Sequence, residues 1–122
     1  ENSLDRVFMI ENYHKLYSHR THPKTNTAQQ ILEKVRVALK PGGLVIVIDH
    51  DAEKGSSIAT ASSINRLSDE IIMSDMNNAG FEFVDNIHIL KDDWEDDLTI
   101  SAFDPSVIGS TSRFVHKYRN PD

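Results

Sequence analysis

The chain has 122 residues, of which 39% are apolar and 26% are charged, as in one ordinary globular domain rather than a disordered segment. Its 19 acidic residues outnumber its 13 basic ones, and the formal charge of -6 argues against a nucleic-acid groove, which needs an excess of Lys and Arg. The absence of cysteine excludes disulfides, thiolate zinc sites and cysteine nucleophiles, and it leaves both a cytoplasmic and a periplasmic location open.

Apolar patterning predicts a strand, a helix and a second strand in the first half of the chain. A buried strand over residues 5–11 is indicated by the apolar run Val7, Phe8, Met9 and Ile10. A helix is indicated further on by apolar residues at i, i+3 and i+4 spacing: Ala28, Ile31, Leu32, Val35, Ala38 and Leu39. Gly42 and Gly43, which follow Pro41, predict its end. Residues 44–48 then predict a parallel strand covered on both faces, which is too short to cross a bilayer, so we expect a soluble protein without a membrane partner.

The second half predicts a linker, a helix and two more strands. The linker covers residues 51–63, and the helix covers residues 68–79 with Ile72, Met76 and Ala79 on its buried side. Strands are expected over residues 81–90 and 112–118, the latter with Phe114 and His116 on one face and Val115 and Lys117 on the other. Between them, the acidic residues 92–97 predict a solvated loop in which Trp94 packs against the sheet edge.

Four short motifs carry a family resemblance. Residues 37–50, with the sequence VALKPGGLVIVIDH, contain a helix end, a Leu-Lys-Pro-Gly-Gly turn and an apolar strand. The others are Asn12, Tyr13 and His14; Ala79, Gly80 and Phe81; and Phe103, Asp104, Pro105 and Gly109 before Arg113, Phe114 and Val115. Together they resemble the second half of class I S-adenosylmethionine-dependent methyltransferases, in a bacterial branch. The resemblance implies an α/β fold: part of a Rossmann-like sheet, with a βαβ unit, then a helix and an antiparallel strand pair, in three layers or in an open two-layer form.

The resemblance also implies what this chain lacks. In the family, a glycine-rich turn after the first strand holds the methyl donor, and no such motif occurs in the 122 residues. Gly42 and Gly43 follow a helix and precede a strand, the reverse of the order that a nucleoside cradle needs. We therefore expect a single domain over residues 1–122 that is truncated relative to the family. S-adenosylmethionine is the implied cofactor, but we do not expect this chain to bind it alone, and no cofactor-binding residue is assigned. Asn65 and Leu98 stand where the branch has histidine, which removes possible acid–base groups.

The candidate site lies where the two parallel strands are expected to end. Glu11, Asn12, Tyr13 and Asp49 are the predicted substrate-binding residues, and His14 and His50 are the predicted catalytic ones. A histidine titrates near neutral pH, so His14 is suited to proton abstraction, and Asp49 is suited to orienting an imidazole. The alternative is that both histidines are ordinary loop residues with one hydrogen bond each. A metal cluster of His14, His19 and His22 is a further possibility, but the spacing matches no established site, and no metal is expected.

The missing half predicts an unpaired strand edge. The strand with Val7 and Ile10 would expose backbone N–H and C=O groups that tend to find a partner. We therefore expect a homodimer through this strand, or pairing with an N-terminal half. Two functions stay open at this point: the second half of a methyltransferase with an unknown acceptor, and a non-catalytic, self-associating interaction module.

Overall fold

The structure, a computed structural model, describes residues 1–17, 27–91 and 96–121. Four strands form one sheet: β1 is Leu4–Ile10, β2 is Leu39–His50, β3 is Glu82–Ile87 and β4 is Arg113–Arg119. Three helices accompany them: α1 is Thr27–Ala38, α2 is Ala59–Ser63 and α3 is Asp69–Asn78. A short 3-10 helix, Tyr13–Tyr17, follows β1. None of the helices described has the length and apolar character that crossing a bilayer requires.

The strands lie in the order β1-β2-β4-β3, with β1 and β2 parallel and the other two pairs antiparallel. β1, α1 and β2 therefore form the predicted βαβ unit, and β3 and β4 form the predicted antiparallel pair. The expected α/β class with part of a Rossmann-like sheet is confirmed. β1 lies at one edge of the sheet, as the resemblance implied.

One face of the sheet carries the core. The register pairs Met9 with Val47 and Val45 with Tyr118, so alternate side chains of β1, β2 and β4 point to the same side. Leu32 of α1 and Met76 of α3 pack against them and are fully buried. The helical stripes predicted from apolar spacing supply this cover, and the sheet and helices form two layers.

The opposite face of the sheet is only partly covered, which corrects two expectations. Phe8 pairs with Ile46, and Ile10 with Ile48, on this face. Phe8 and Ile10 are 57% and 54% exposed, and Ile46 and Ile48 are half-buried. The prediction that β1 is buried and that β2 is covered on both faces is therefore wrong. An apolar run does not distinguish a strand with two covered faces from one whose second face meets solvent.

Element boundaries differ from the predictions at three places. β2 begins at Leu39, five residues early, because residues before the glycines are already extended and Leu39 pairs with Leu4. α2 lies inside the predicted linker. β3 ends at Ile87 and not at residue 90, and Ile89 is 82% exposed. α3 matches its prediction, with Ser68 and Ala79 as its flanking caps.

The Gly42–Gly43 turn is packed against the chain itself. Gly42 has a φ of 78°, a conformation that favours glycine, and its N–H donates to the carbonyl of Asn120 at 2.7 Å. A Cβ on Gly43 would come within 2.9 Å of the Lys40 carbonyl oxygen and 3.3 Å of that of Asp5. The space above Gly43 is thus filled by backbone. Both glycines lie inside β2, and α1 already ends at Ala38, so the prediction that Gly42 and Gly43 end the helix is wrong.

Candidate functional site

The carboxyl ends of β1 and β2 lie side by side and carry most of the predicted site. Ile10 pairs with Ile48, so Glu11 and Asp49 are the next residue of each strand. Glu11 has a φ of 54°, in the left-handed region that non-glycine residues seldom adopt, and its N–H donates to the Ile48 carbonyl at 2.6 Å. This conformation ends β1 and turns the chain into the 3-10 helix, which carries His14 back toward Asp49.

Asp49 holds His14 through both its backbone and its ring. The His14 Nδ1 atom lies 2.9 Å and 3.0 Å from the two Asp49 carboxylate oxygens, and the His14 backbone N–H donates to Oδ2 at 2.8 Å. The His50 backbone N–H donates to Oδ1, also at 2.8 Å. Asp49 is fully buried and His14 is 1% exposed. The Asp49 carboxylate thus holds the His14 ring in place, and the functional role of the two residues stays a prediction.

The outer nitrogen of His14 is left available. With Nδ1–H donated to an acceptor-only carboxylate, the neutral ring carries its lone pair on Nε2. That atom is buried and has no hydrogen-bond partner among the residues that the structure describes. A buried polar atom without a partner costs stability, so this nitrogen is an unsatisfied acceptor beside Asp49.

His50 lies beside His14, with 6.0 Å between the ring centroids. Its Nδ1 is 2.7 Å from the Thr111 hydroxyl oxygen, and its Nε2, like that of His14, is buried without a partner. The Phe103 ring meets the His50 ring edge-on at 5.7 Å. Burial lowers the pKa of His50 below the ordinary histidine value, which favours its neutral form near neutral pH.

The remaining predicted substrate-binding residues, Glu11, Asn12 and Tyr13, do not lie together beside the two histidines. Glu11 accepts a hydrogen bond from Nη1 of Arg113 at 3.0 Å and is partly exposed. Asn12 is exposed. Tyr13 is fully buried in the core cluster, and its hydroxyl donates to Asp75 at 2.8 Å. The structure thus gathers His14, Asp49 and His50 with Glu11 close by in the chain, whereas Tyr13 is engaged by α3.

Asp75 joins the 3-10 helix to α3. Its Oδ2 accepts hydrogen bonds from the hydroxyls of both Tyr13 and Tyr17. Burial raises the pKa of each phenol, and the bond to Asp75 adds to that effect, so both side chains stay protonated donors. The aromatic rings of a Tyr-His-x-x-Tyr segment gave no hint of this shared acceptor, because Asp75 lies 62 positions from Tyr13.

A buried ion pair lies next to the residues that follow β2 and was not predicted. The Arg66 guanidinium forms two hydrogen bonds of 2.8 Å with the Asp96 carboxylate, and both side chains are fully buried. Arg66 also donates to the carbonyls of Ile100 and Asp51. The expectation of a solvated acidic loop is wrong for Asp96, because Arg66 draws it inside. The rest of that stretch, with Trp94, lies outside the described residues.

Asp51 continues this support toward β4. Its carboxylate accepts from the Lys91 ammonium and from the Ser112 hydroxyl, both at 2.7 Å. Ser112 also donates its backbone N–H to Asp96 at 2.8 Å. These bonds hold the segment that carries Thr111, and therefore the partner of His50, against the end of β2.

Metal binding finds no support in the part of the chain that the structure describes. No group of three or more His, Asp or Glu side chains there could hold a metal ion. Of the histidines considered for a metal cluster, His19 and His22 lie outside the described residues.

A cleft of about 710 Å³ lies between α1 and the end of α3, with Gln29, Glu33, Arg36 and Asn78 among its lining residues. Neither His14 nor His50 lines it.

Comparison with known proteins shows the fold. No family model matches the sequence, and no curated protein sequence does. A chain from the complex between a Haloferax volcanii methyltransferase activator and a protein described as a methyltransferase matches with a TM-score of 0.60 and 17% identity, over 100% of this chain and 56% of that one. The cyclase SpnF matches with a TM-score of 0.59 and 15% identity, over 99% of this chain and 51% of SpnF.

These likenesses support a methyltransferase-like fold and leave the chemistry open. The chain spans about half the length of the structures that it matches. A Thermus thermophilus protein described as a DNA modification methylase, complexed with S-adenosyl-L-methionine, matches at a TM-score of 0.42 and 14% identity over 98% of this chain and 56% of that one, which is too low to support an argument. One fold carries many functions, as a cyclase among the matches illustrates.

Proposed function

We propose that this chain is the C-terminal half of a methyltransferase-like protein and that it takes part in S-adenosylmethionine-dependent methyl transfer only when an N-terminal half completes it. The fold supports the first part, and the matched structures are about twice as long. The observation on which the chemistry rests is the buried His14–Asp49 pair, with a free Nε2, at the carboxyl ends of parallel strands.

In this proposal His14 is the base and Asp49 positions it. The carboxylate holds the ring in one tautomer and stabilises the imidazolium that forms when Nε2 accepts a proton from the methyl acceptor. His50 is the second catalytic residue. Glu11 and Asn12 bind substrate at the rim, where both are accessible in part or in full. Tyr13 contributes by fixing the 3-10 helix through Asp75.

The methyl donor does not fit the residues of this chain alone. When bound, S-adenosylmethionine supplies a methyl group on a positively charged sulfur. Of the two adjacent glycines, Gly43 is packed against the backbone of Lys40 and Asp5. Gly42 is open above its Cα, but it lies inside β2 and not between a strand and a helix, which is where a nucleoside cradle needs its glycines. We therefore assign donor binding to the N-terminal half and none of it to this chain.

Calorimetric titration with S-adenosylmethionine tests this division. We expect no binding at micromolar donor for the 122-residue chain, and micromolar binding for a longer product of the same reading frame that includes a glycine-rich segment. Micromolar affinity of the short chain would contradict the assignment. An upstream reading frame without a glycine-rich turn would contradict the proposed completion.

A second candidate function, a non-catalytic self-associating module, is favoured by the exposed edge. β1 is an edge strand, and Phe8 and Ile10 on it are more than half exposed. In the absence of an N-terminal half, we propose that two copies pair through β1, because an unpaired apolar strand is a template for another strand.

Size-exclusion chromatography with light scattering tests the pairing. We expect the 122-residue chain to be dimeric at micromolar concentration, and Phe8→Lys to shift it to a monomer, because a charge on an edge strand opposes pairing. Ile89→Lys is the matched control, since Ile89 is 82% exposed and lies beyond the end of β3. A wild-type monomer would refute pairing through β1.

A further inference from the structure

Each of the two histidines has one ring nitrogen held by the protein and one free. His14 Nδ1 is held by Asp49, and His50 Nδ1 is held by Thr111. The two Nε2 atoms are buried and have no partner within residues 1–17, 27–91 and 96–121, and the two histidines are 1% and 5% exposed. In each ring, the partner of Nδ1 therefore decides whether Nδ1 or Nε2 carries the proton of the neutral form.

The tautomer of His14 follows from its acceptor. An ionised carboxylate can only accept, so His14 Nδ1–H donates a hydrogen bond to Asp49, and Nε2 of the neutral ring is an acceptor.

The tautomer of His50 follows from Thr111. The Thr111 residue is 4% exposed, and its hydroxyl forms its hydrogen bond with His50. A hydroxyl can donate or accept, but if it accepted from His50 its own proton would be left buried without an acceptor, at a cost of about 1–3 kcal/mol. When Thr111 donates to Nδ1, that proton is satisfied and the neutral His50 ring carries its proton on Nε2. Burial lowers the pKa of His50 and so favours the neutral ring, the form to which this assignment applies.

We infer that His14 and His50 form a clamp for one hydroxyl group: His50 Nε2–H donates to the hydroxyl oxygen, and the hydroxyl proton points to His14 Nε2. The inference rests on the proposed function and names its substrate class, an alcohol or phenol. One oxygen bonded to both nitrogens would hold them on the order of 5 Å apart. The ring centroids are 6.0 Å apart. Because both nitrogens are buried, a hydroxyl group reaches them only when the side chains that cover them move aside.

The clamp distinguishes a hydroxyl group from an ether by the number of hydrogen bonds that each can form with the two histidines. A hydroxyl group offers one acceptor and one donor and satisfies both nitrogens. A methyl ether offers only an acceptor, so it leaves His14 Nε2 unpaired and should bind more weakly. The product of methylating a hydroxyl is such an ether, so the same pairing would favour substrate over product.

Nitrogen-15 NMR of the histidine rings in the 122-residue chain tests the assignment. At a pH where both rings are neutral, we expect His14 to be protonated on Nδ1 and His50 on Nε2. Thr111→Val should redistribute the His50 proton between its two nitrogens and leave His14 unchanged. Val107→Ala is the control, because Val107 is a buried residue of the same loop. A wild-type His50 protonated on Nδ1 would overturn the clamp.

Phenol and its methyl ether anisole then test binding, with the same ring signals as the readout. We expect phenol to move both Nε2 signals, and anisole to require roughly a tenfold higher concentration or more for the same effect. Equal responses to the two compounds, or no response to phenol, would overturn the inference. This readout needs no methyl donor, so it tests the clamp independently of the proposed methyl transfer. Phenol binding without methyl transfer would contradict only the proposed function, and methyl transfer without a phenol response would contradict only the clamp.

Discussion

The Asp49 carboxylate lies 2.9 Å from His14 Nδ1, although the two residues are 35 positions apart in the chain. The parallel pairing of β1 and β2 brings the strand ends together, and the left-handed backbone of Glu11 then returns His14 to Asp49. The His14–Asp49 pair therefore depends on the sheet register and on one unusual backbone conformation. Disrupting the pair should lower the stability of the fold and change the protonation of His14.

Asp49→Asn should destabilise the fold by about 1–3 kcal/mol, because a neutral amide cannot accept three hydrogen bonds as well as a buried carboxylate can. Urea unfolding measures the change. Asp5→Asn is the matched control: Asp5 pairs with Lys40 at 3.1 Å, but its side chain is 70% exposed, and we expect no measurable effect. An Asp49→Asn variant as stable as wild type would show that the carboxylate does not hold the 3-10 helix.

Arg66→Met should be among the most disruptive substitutions, at about 3–5 kcal/mol, because it leaves the Asp96 carboxylate buried without its partner. The double variant Arg66→Met/Asp96→Leu should recover part of the loss, since it removes the unpaired charge. Arg119→Met serves as the control, because the Arg119–Glu82 pair is half-exposed on both sides. Additive losses in the double variant would argue against the buried ion pair.

The Tyr13→Phe variant tests whether the Tyr13 hydroxyl stabilises the fold or binds substrate. The ring stays in the core, but Asp75 loses one donor, so we expect a loss of about 1 kcal/mol of stability in thermal or urea unfolding. The ring nitrogens of His14 and His50 should keep their protonation states, and phenol should perturb them as in wild type. If a stably folded Tyr13→Phe variant no longer responded to phenol, Tyr13 would be a substrate-binding residue.

Acid should weaken the contact between β4 and α3. His116, which is fully buried, lies 3.2 Å through Nε2 from Asp69, and this hydrogen bond is the main reason that the pKa of Asp69 is lowered. A carboxyl group with a folded-state pKa below its unfolded value stabilises the fold above the unfolded pKa and loses that contribution as pH falls through the folded one.

We therefore expect wild type to lose more stability than Asp69→Asn as pH is lowered from about 5 toward about 2, measured by thermal unfolding at steps of pH. Asp85→Asn provides the control on the exposed strand β3. Parallel pH curves for wild type and Asp69→Asn would contradict the linkage.

Local patterns in the sequence were sufficient for the order and type of most elements. Apolar spacing predicted the buried sides of α1 and α3, where Leu32, Ile72 and Met76 are fully buried. Alternation predicted that Phe114 and His116 share a face of β4, and both are buried there. Such features depend on neighbours within a few positions, because helix and strand periods repeat over short distances.

Contacts between distant residues could not be read in the same way. Both histidines and Asp49 were recognised as strand-end residues, but which histidine the carboxylate would hold depended on the turn at Glu11. Arg66 and Asp96 carry no shared pattern, and Asp96 sits in an acidic run that is typical of solvent-exposed loops. The open second face of β2 was also missed, because hydrophobicity reports that a face is apolar and not whether anything lies over it.

Chain-local chemistry thus specified a βαβ unit, a second amphipathic helix and an antiparallel strand pair, together with a cluster of ionisable residues at two strand ends. Folding in three dimensions was needed to join His14 to Asp49, to set Thr111 against His50 and to bury Arg66 with Asp96. The physical reason is that backbone periodicity is local, whereas hydrogen bonds among buried polar groups are selected by the packing of segments that are 30 or more positions apart.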